Sequence, residues 1–211
     1  MASFRWTPEA VVDADGPRAL CRTYWEHRDL REVIGASLGR PRVGTAVDLG
    51  CGFGRNCLVL GEFAALTVGL EREPALVAQA RALVPGARFV AIGSLARLPL
   101  RDRVADLTLV FTVFQHLPDA AVRDAVAEAL RITKPDGVVV LVEETDETLE
   151  AGSAAEPEKG YTRGRSAARY AALFAPRRLV ATRARRIEPT YARRDVGTYM
   201  VFGPAGSTMR P

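Results

Sequence analysis

The sequence is poor in residues that would point to several common classes of protein. Its 211 residues include three cysteines and two histidines, too few for a disulfide framework or a histidine-rich metal site. Cys21, Cys51 and Cys57 are therefore expected to be free thiols in a reducing compartment. No hydrophobic run approaches the ~20 residues that span a bilayer, and residues 1–6 lack the apolar stretch of a secretory signal. We expect a cytoplasmic protein with no membrane partner.

Lysine is also scarce, and almost all of the basic residues are arginine. The net charge is +4, and the arginines concentrate between residues 163 and 194, whereas residues 143–158 are acidic. A nucleic-acid-binding protein would show a basic stripe interleaved with aromatic residues. Here the arginines alternate with apolar residues in a predicted strand, which places most of them on its solvent face. Nucleic acid is not the expected partner, although the arginines leave room for an anionic substrate.

The rest of the chain alternates strand-like and helix-like segments, within a length that suits a single domain over residues 1–211. Apolar residues recur at helical spacing over residues 17–38, and residues 1–40 are expected to form a helical lid. The core, residues 44–203, is predicted to be α/β, with a doubly wound, mostly parallel sheet. The strands are expected at residues 44–49, 66–70, 88–92, 105–110, 138–142, 178–188 and 196–203.

The predicted helices follow the strands, except that the last two strands adjoin directly and must be antiparallel neighbours. Asp119 and Ser166 precede two of these helices and are expected to cap them. Residues 134–137 are predicted to form a turn, and the polar, aperiodic segment 145–164 a loop. The core helices are expected at residues 54–62, 75–83, 120–132 and 167–174.

The most informative segment is glycine-rich: residues 48–54 read Asp-Leu-Gly-Cys-Gly-Phe-Gly. It lies between a predicted strand and a predicted helix, where glycines let a nucleotide approach the main chain closely. Glu71 ends the next strand, where a carboxylate can accept hydrogen bonds from two ribose hydroxyls. A dinucleotide turn reads G-x-G-x-x-G and holds a pyrophosphate. Asp48, just before the first glycine, instead favours a ligand that carries an ammonium and a sulfonium.

This segment and Glu71 resemble motifs I and II of the class I S-adenosylmethionine-dependent methyltransferases. Residues 105–119 resemble the family's fourth strand and following helix start, and residues 129–137 resemble the turn before its fifth strand, with Asp136 where glycine is common. The resemblance covers roughly residues 44–203. It implies a seven-stranded sheet in the order three-two-one-four-five-seven-six, with strand seven antiparallel and the ligand at the carboxyl ends of strands one, two and four.

The resemblance also implies which residues hold the cofactor, S-adenosylmethionine. Many relatives have an aspartate after strand three that accepts from the adenine amine. Ser94 stands there in this chain, so its hydroxyl or the Leu95 amide would bond the ring edge instead. The implied cofactor residues are Asp48, Gly50, Gly52, Gly54, Glu71, Arg72, Ser94, Leu95 and Phe111.

Methyl transfer from a sulfonium needs alignment in a dry pocket more than it needs chemical groups from the protein. A general base is required only when the acceptor arrives protonated. His116 is the candidate base, and the alternative is that it packs at a helix start. Tyr24, Trp25 and Glu143 are the candidate acceptor contacts, with core packing and a solvated strand end as their alternatives.

Three acceptor classes are disfavoured by residues 111–117. The segment lacks the Pro-Pro-aromatic sequence of amino-directed DNA methyltransferases, the carboxylates of metal-assisted catechol enzymes, and the glutamate pair of protein arginine methyltransferases. We therefore expect a metal-independent enzyme, monomeric or homodimeric, that methylates an O or N atom of a small molecule such as a secondary metabolite. A non-methyl reaction such as cyclisation, a binding protein on a degenerate site, and RNA modification remain open.

Overall fold

The computed structural model describes residues 16–157, 160–185 and 197–206, with side chains from residue 21 onward. The first part of the predicted lid, the predicted strand ends at residues 186–188 and at 196, and the arginines beyond Arg185 lie outside the described residues. The elements in chain order are α1 (Gly16–Leu38), β1 (Val43–Leu49), α2 (Arg55–Phe63), β2 (Ala64–Glu71), α3 (Pro74–Leu83), β3 (Arg88–Ala91), β4 (Ala105–Phe111), a 3₁₀ turn (Phe114–His116), α4 (Asp119–Ile132), β5 (Thr133–Glu143), β6 (Glu150–Ala151), β7 (Thr162–Arg163), α5 (Ala167–Leu173), β8 (Arg178–Ala184) and β9 (Thr198–Gly203).

Seven strands form one sheet in the order β3-β2-β1-β4-β5-β9-β8. Neighbours are parallel except at β9, which runs antiparallel to both β5 and β8. This is the predicted α/β class and the strand order that the resemblance implied, with β9 in the place of strand seven. β4 is buried along its whole length, as expected for a parallel strand covered on both faces.

The two faces of the sheet are covered by different helices. Alternate residues of β4 point to opposite sides: Leu107 and Leu109 pack with α1 and α2, whereas Val110 packs with α4 and α5. α1 is a single helix whose Leu30 and Ile34 are completely buried in the first of these layers. α1 is therefore a core element of the fold in the part that the structure describes.

Of four local predictions, three need correction and one, the cap at Ser166, is confirmed. β5 begins at Thr133, so residues 134–137 belong to a strand with a register shift opposite β4 and not to a free turn. The predicted loop at 145–164 contains the short antiparallel pair β6–β7. Ser166 does cap α5 by accepting from the Arg169 amide at 3.3 Å. Asp119 is the first residue of α4 and not its cap, because its carboxylate binds arginines.

Candidate functional site

A cavity of about 450 Å³ opens at the carboxyl ends of β1, β2 and β4. The connections that leave β1 and β4 run to opposite faces of the sheet at this point, and open α/β sheets bind ligands in the crevice between such connections. The walls come from the β1–α2 turn, the end of β2, the segment after β3 and the segment between β4 and α4. Pro157 reaches the cavity from the β6–β7 region. The cavity therefore lies at the position where the resemblance implied a bound ligand.

The three glycines of the turn serve different purposes. All have positive φ, at 72° for Gly50, 55° for Gly52 and 84° for Gly54, a region that side chains disfavour. Gly50 and Gly52 line the cavity. Gly54 is not among the lining residues: it precedes α2, and a Cβ there would lie 2.8 Å from the ring of Phe89. The interpretation of Gly54 as a ligand contact is thus replaced by a role in starting α2 and packing against β3.

Glu71 is on the cavity wall and is rigidly held. Its Oε2 accepts a hydrogen bond from the Gly52 amide at 2.9 Å, and its Oε1 accepts from the amides of Arg72 and Glu73 at 2.7 and 3.0 Å. A carboxylate offers about four acceptor positions, and the backbone fills three of them here. Glu71 therefore organises the glycine turn in addition to facing the cavity.

The remaining residues implied for the adenine and ribose side also reach the cavity. Arg72, Ser94, Leu95 and Phe111 all line it. The Ser94 hydroxyl accepts from the Ala96 amide at 3.1 Å, so its oxygen is partly engaged in the local turn while its O–H can still donate.

Asp48 lies beneath the turn and does not line the cavity. Its Oδ2 is 3.6 Å from the Sγ of Cys57. Burial raises the pKa of Asp48 to about 7, although the Cys57 contact and the charge of Arg55 oppose this shift. The interpretation of Asp48 as a direct cofactor contact does not hold in this structure, where Asp48 supports the turn from inside the protein.

Glu143 holds the segment after β4 and does not face an acceptor. Its carboxylate accepts from the amides of Val113, Phe114 and Gln115 at 2.9, 2.8 and 3.0 Å. The side chain is completely buried, and this burial raises the pKa of Glu143 to about 7 despite the three N–H donors. The prediction that Glu143 contacts substrate is wrong, because backbone amides surround its carboxylate.

His116 lines the cavity at the end of the segment that Glu143 holds. Its Nδ1 lies 3.0 Å from the carbonyl oxygen of Tyr161 and 3.1 Å from the hydroxyl of Thr162. A carbonyl can only accept, so Nδ1 carries the hydrogen and Nε2 carries the lone pair, which accepts from the Gln115 side-chain amide nitrogen at 3.3 Å. Burial lowers the pKa of His116, although the bond to Tyr161 opposes this. The imidazole is therefore neutral at pH 7, which is the state that a base requires.

Arg165 joins the β6–β7 region to the same segment. Its guanidinium is completely buried and donates to the Asp119 carboxylate at 2.8 Å and to the carbonyls of Phe114 and Leu117 at 2.9 and 2.6 Å. We call this set of bonds, with those of Glu143, the clasp. The expectation that these arginines mostly face solvent is wrong for Arg165. No sequence signal marked Arg165 as buried, since its partners lie 46 to 51 residues away.

Tyr24 and Trp25 are not lid contacts in the structure. Tyr24 is 61% exposed and packs edge-on against Trp25 at 5.5 Å between ring centroids, and neither residue lines the cavity. α1 instead approaches the site through Glu26, which is buried and bound to Arg55. The pairing of Glu26 with Arg55 could not be predicted, because the two lie on different helices.

Several lining residues were absent from the prediction. Arg55 and Asn56 follow the glycine turn directly, and this position was the available signal, since the first residues of a helix after such a turn face the ligand side. No sequence signal marked the others. The remaining unpredicted residues include Thr112, Val113, Leu117, Ala121, Asp124 and Pro157.

Two kinds of feature are missing from the part of the chain that the structure describes. Its His, Cys, Asp and Glu side chains include no group of three or more arranged to hold a metal ion. None of its helices combines the length and apolar character needed to cross a membrane.

Comparisons with known proteins agree with this architecture. Residues 47–141 match the family model described as a methyltransferase domain. A probable S-adenosylmethionine-dependent methyltransferase of Mycolicibacterium smegmatis is 34% identical over 119 residues, which cover 56% of this chain and 44% of that relative. An uncharacterised methyltransferase of Synechocystis is 29% identical over 97 residues, covering 46% of this chain and 45% of that protein. The chain thus matches less than half the length of these curated relatives.

Solved structures show the same fold. An S-adenosylmethionine-dependent methyltransferase of Leishmania major superposes with a TM-score of 0.71 at 19% identity, covering 85% of this chain and 72% of that one. The 1,6-didemethyltoxoflavin N1-methyltransferase of Burkholderia thailandensis, solved with 1,6-didemethyltoxoflavin and S-adenosylhomocysteine, has a TM-score of 0.67 at 19% identity, covering 85% and 78% of the two chains. The strand order, the glycine turn with Glu71 and the methyltransferase-domain match over residues 47–141 together support the resemblance to the class I S-adenosylmethionine-dependent methyltransferase superfamily.

Proposed function

We propose that this chain binds S-adenosylmethionine in the cavity and transfers its methyl group to an O or N atom of a small molecule. The observation that carries the proposal is the position of Glu71. Its carboxylate lies on the cavity wall at the end of β2, bonded to the glycine turn at the end of β1. A carboxylate fixed at that point, with one acceptor position left free by the backbone amides, is suited to accept from a ribose hydroxyl.

The residues present fit this cofactor. Gly50 and Gly52 bring main-chain atoms to the cavity surface, where an amino-acid moiety can approach closely. Leu76, Ile92 and Leu95 form an apolar part of the wall that suits the faces of an adenine ring. Leu95, Ser94 and Arg72 would surround the ring edge, as expected from the sequence.

The protein's own contribution to the reaction is alignment, exclusion of water and removal of a proton. When bound, S-adenosylmethionine supplies a methyl group activated by its positively charged sulfur. Pro157 and Phe111, Thr112, Val113, His116 and Leu117 of the segment after β4 line the cavity, and around a bound ligand they would keep water from the reacting atoms. His116 would accept a proton at Nε2 from a hydroxyl or ammonium acceptor, giving up the 3.3 Å bond from the Gln115 side-chain amide, while its Nδ1–H stays bonded to the Tyr161 carbonyl.

A small-molecule acceptor is supported by the way the arginines are used. Arg163, Arg165 and Arg169 all converge on Asp119, and Arg165 is completely buried, so these three arginines are gathered at one carboxylate of the fold and are not spread along a stripe that would suit RNA. The volume of about 450 Å³ lies at the lower end of the range for small-molecule sites. The Burkholderia thailandensis protein of similar fold is named for 1,6-didemethyltoxoflavin as its methyl acceptor, and a small-molecule acceptor is proposed here by analogy.

We also propose that the reaction needs no metal. Turnover should then be unchanged after incubation with excess chelator. Cys21, Cys51 and Cys57 are free thiols, in keeping with a cytoplasmic location, and size-exclusion chromatography would distinguish a monomer from a homodimer.

The decisive experiment combines binding and product analysis. Isothermal titration should show that the protein binds S-adenosylhomocysteine, and incubation with S-adenosylmethionine and candidate metabolites should give products heavier by one methylene, roughly 14 mass units. His116→Gln should slow turnover by about 100-fold, the lower end of general-base effects, with little change in S-adenosylhomocysteine affinity. Failure to bind either nucleoside would refute the proposal, and a product without the added methyl would favour a cyclisation-type reaction.

A further inference from the structure

Most of the described residues with a positive φ angle are glycines, and the two exceptions lie in different surroundings. Arg103 has a φ of 51° in the loop before β4, and Thr112 has a φ of 54° directly after β4. Side chains disfavour this left-handed region, and a β-branched residue is a genuine outlier in it. Thr112 lines the cavity, whereas Arg103 does not. The conformation of Thr112 therefore has to be explained from its place in the site.

Hydrogen bonds on both sides keep Thr112 in this conformation. Its N–H donates to the carbonyl of Val142 at 2.7 Å. The next three amides donate to the Glu143 carboxylate at 2.9, 2.8 and 3.0 Å. Strained residues persist where the surrounding structure fixes them, and they cluster at functional sites. All four bonds use main-chain N–H groups, so the turn itself does not require the side chain of a threonine.

A glycine would form the same turn with less strain, because it has no Cβ to clash in the left-handed region. The neighbouring turn uses glycine in this way, with φ angles of 72° at Gly50 and 55° at Gly52. Both of these residues line the same cavity as Thr112. The threonine at position 112 is therefore best explained by what its side chain contributes.

The left-handed residue also ends the alternation of β4. Val110 packs on the side of α4 and α5, and Phe111 packs on the side of α1 and α2. If the strand continued, Thr112 would face the α4 side, as Val110 does. Instead it is half-buried at the cavity wall, and no hydrogen bond within the described residues uses its hydroxyl. That hydroxyl can donate one bond and accept two.

Thr112 lies where the methyl group and its acceptor would meet. A Cβ at Gly50 would lie 2.6 Å from Cγ2 of Val113, so the segment after β4 is packed against the glycine turn. Thr112 and His116 are the polar side chains that this segment contributes to the cavity wall. The reacting O or N atom of an acceptor carries a lone pair or a hydrogen that a hydroxyl can bond.

We propose that Thr112 contacts the methyl acceptor through its hydroxyl, and that the left-handed backbone directs this hydroxyl into the cavity. The hydroxyl orients the reacting atom, while the proton leaves to His116 and no covalent bond forms to Thr112. This inference rests on the proposed function, because it assigns a residue that contacts the acceptor of that reaction.

The test separates the backbone conformation from the hydroxyl. Thr112→Gly removes both, Thr112→Val keeps the β-branched shape without the hydroxyl, and Thr112→Ser keeps the hydroxyl. Arg103→Gly is the matched control, since it relieves a similar φ angle outside the cavity. Each protein is measured for thermal unfolding and for S-adenosylhomocysteine affinity. Its rate of transfer of a labelled methyl group from S-adenosylmethionine into the low-molecular-mass fraction of a cell extract is measured as well.

Thr112→Gly and Arg103→Gly should both unfold at a temperature about 2–4 °C higher than the wild type, because left-handed strain is relieved. Thr112→Gly and Thr112→Val should transfer methyl groups roughly tenfold more slowly, the effect of one lost hydrogen bond. Thr112→Ser should stay within about threefold of the wild type, because it keeps that bond. Arg103→Gly should transfer methyl groups at the wild-type rate, and Thr112→Val should bind S-adenosylhomocysteine as the wild type does.

Equal methyl transfer by Thr112→Val and Thr112→Ser would overturn the inference, even if Thr112→Gly fails to fold. A stabilised Thr112→Gly variant that works at the wild-type rate would overturn it too, as would loss of S-adenosylhomocysteine binding in Thr112→Val, which would assign the hydroxyl to the cofactor. In each of these cases a wild type that transfers the label keeps the proposed function. A wild type that binds S-adenosylhomocysteine and methylates nothing in the extract would overturn both, and one that binds neither nucleoside would refute the proposed function itself.

Discussion

The two sides of the cavity are held together over very different distances in the sequence. On the glycine-turn side, Glu71 binds Gly52 across 19 residues that span one helix and one strand. On the clasp side, Arg165 binds Phe114 across 51 residues, and Glu143 binds the same residue across 29. The first arrangement follows from a local motif, and the second depends on the completed fold. The comparison predicts that the two sides can be damaged separately.

The largest effect should follow Arg165→Met. The change removes one donor from Asp119, which Arg169 and Arg163 still bind, and removes the donor from the Phe114 and Leu117 carbonyls. Each lost bond to a charged group contributes about 1.5–3 kcal/mol of unfolding free energy. Because the glycine turn does not depend on Arg165, S-adenosylhomocysteine affinity should stay within threefold. Denaturant unfolding and calorimetry measure the two quantities.

Arg169→Met is the control for that prediction. Arg169 binds the same carboxylate but is 40% exposed, so its loss should cost no more than about 1 kcal/mol. If Arg165→Met weakened S-adenosylhomocysteine binding as strongly as a change at Glu71, the two sides would be coupled and the comparison would be wrong.

Gly50→Ala should damage the glycine-turn side. Its φ of 72° disfavours a side chain, and the added Cβ would lie 2.6 Å from Cγ2 of Val113. Left-handed strain and overpacking together should cost about 2–4 kcal/mol, seen both in stability and in S-adenosylhomocysteine affinity. Gly61→Ala is the matched control: nothing lies within 4 Å of a Cβ there, and in α2 the change should stabilise by up to about 1 kcal/mol. Equal behaviour of the two alanine variants would contradict the prediction.

Glu71→Gln should weaken nucleoside binding and also loosen the glycine turn. The amide keeps the shape but removes the charge from each bond, at roughly 1.5–3 kcal/mol for a bond to a charged group, and its NH2 group cannot accept from the backbone amides that the carboxylate binds. We expect a tenfold to hundredfold loss of S-adenosylhomocysteine affinity by titration calorimetry. Glu73→Gln, in the neighbouring ion pair with Arg72, should change affinity less than twofold. A normal affinity in Glu71→Gln would remove the main support for the site.

Per pH unit, the smallest effect should come from the titration of Asp48. Its folded pKa of about 7 lies above the ordinary value of 3.8, so the folded state keeps the proton longer than the unfolded chain. Stability should therefore fall as pH rises between about 4 and 7, by at most roughly 1.4 kcal/mol per pH unit. In Asp48→Asn this contribution is absent, and the stability difference between variant and wild type should grow from pH 5 to pH 7 and then level off. A difference that is independent of pH would show that Asp48 titrates normally.

The features that were predictable from the sequence are those fixed by near neighbours or by periodic burial. The glycine turn, Glu71 and the β-branched core strands were found because each element carries its own pattern. The seven-stranded order came through the resemblance, and the structure confirms it. The end of β5 shows the limit: Glu143 ends a strand, but the sequence cannot say that three amides of a different segment surround its carboxylate.

The site residues that were misplaced share a physical reason. Whether Tyr24 faces a cavity or solvent depends on how α1 rotates against the sheet, and Leu30 and Ile34 decide this by taking the buried face. Arg165 is buried because Asp119 and two carbonyls compensate its charge, a set of partners that no local spacing encodes. The sequence pattern does not show which distant groups will compensate the charge of a buried side chain.

The position of β9 has a consequence for the order in which the protein matures during synthesis. β9 is the last strand of the sheet to be made, yet it lies between β5 and β8. A chain that emerges from its N-terminus can pair β1 to β5 early, whereas β8 has no neighbour until β9 arrives. Tyr199 of β9 donates to the carbonyl of Glu26 at 3.3 Å, and Glu26 binds Arg55, which lines the cavity. The bond that holds Glu26 therefore forms only after β9 has been made. A nascent chain can form the glycine turn well before it forms this contact behind Arg55.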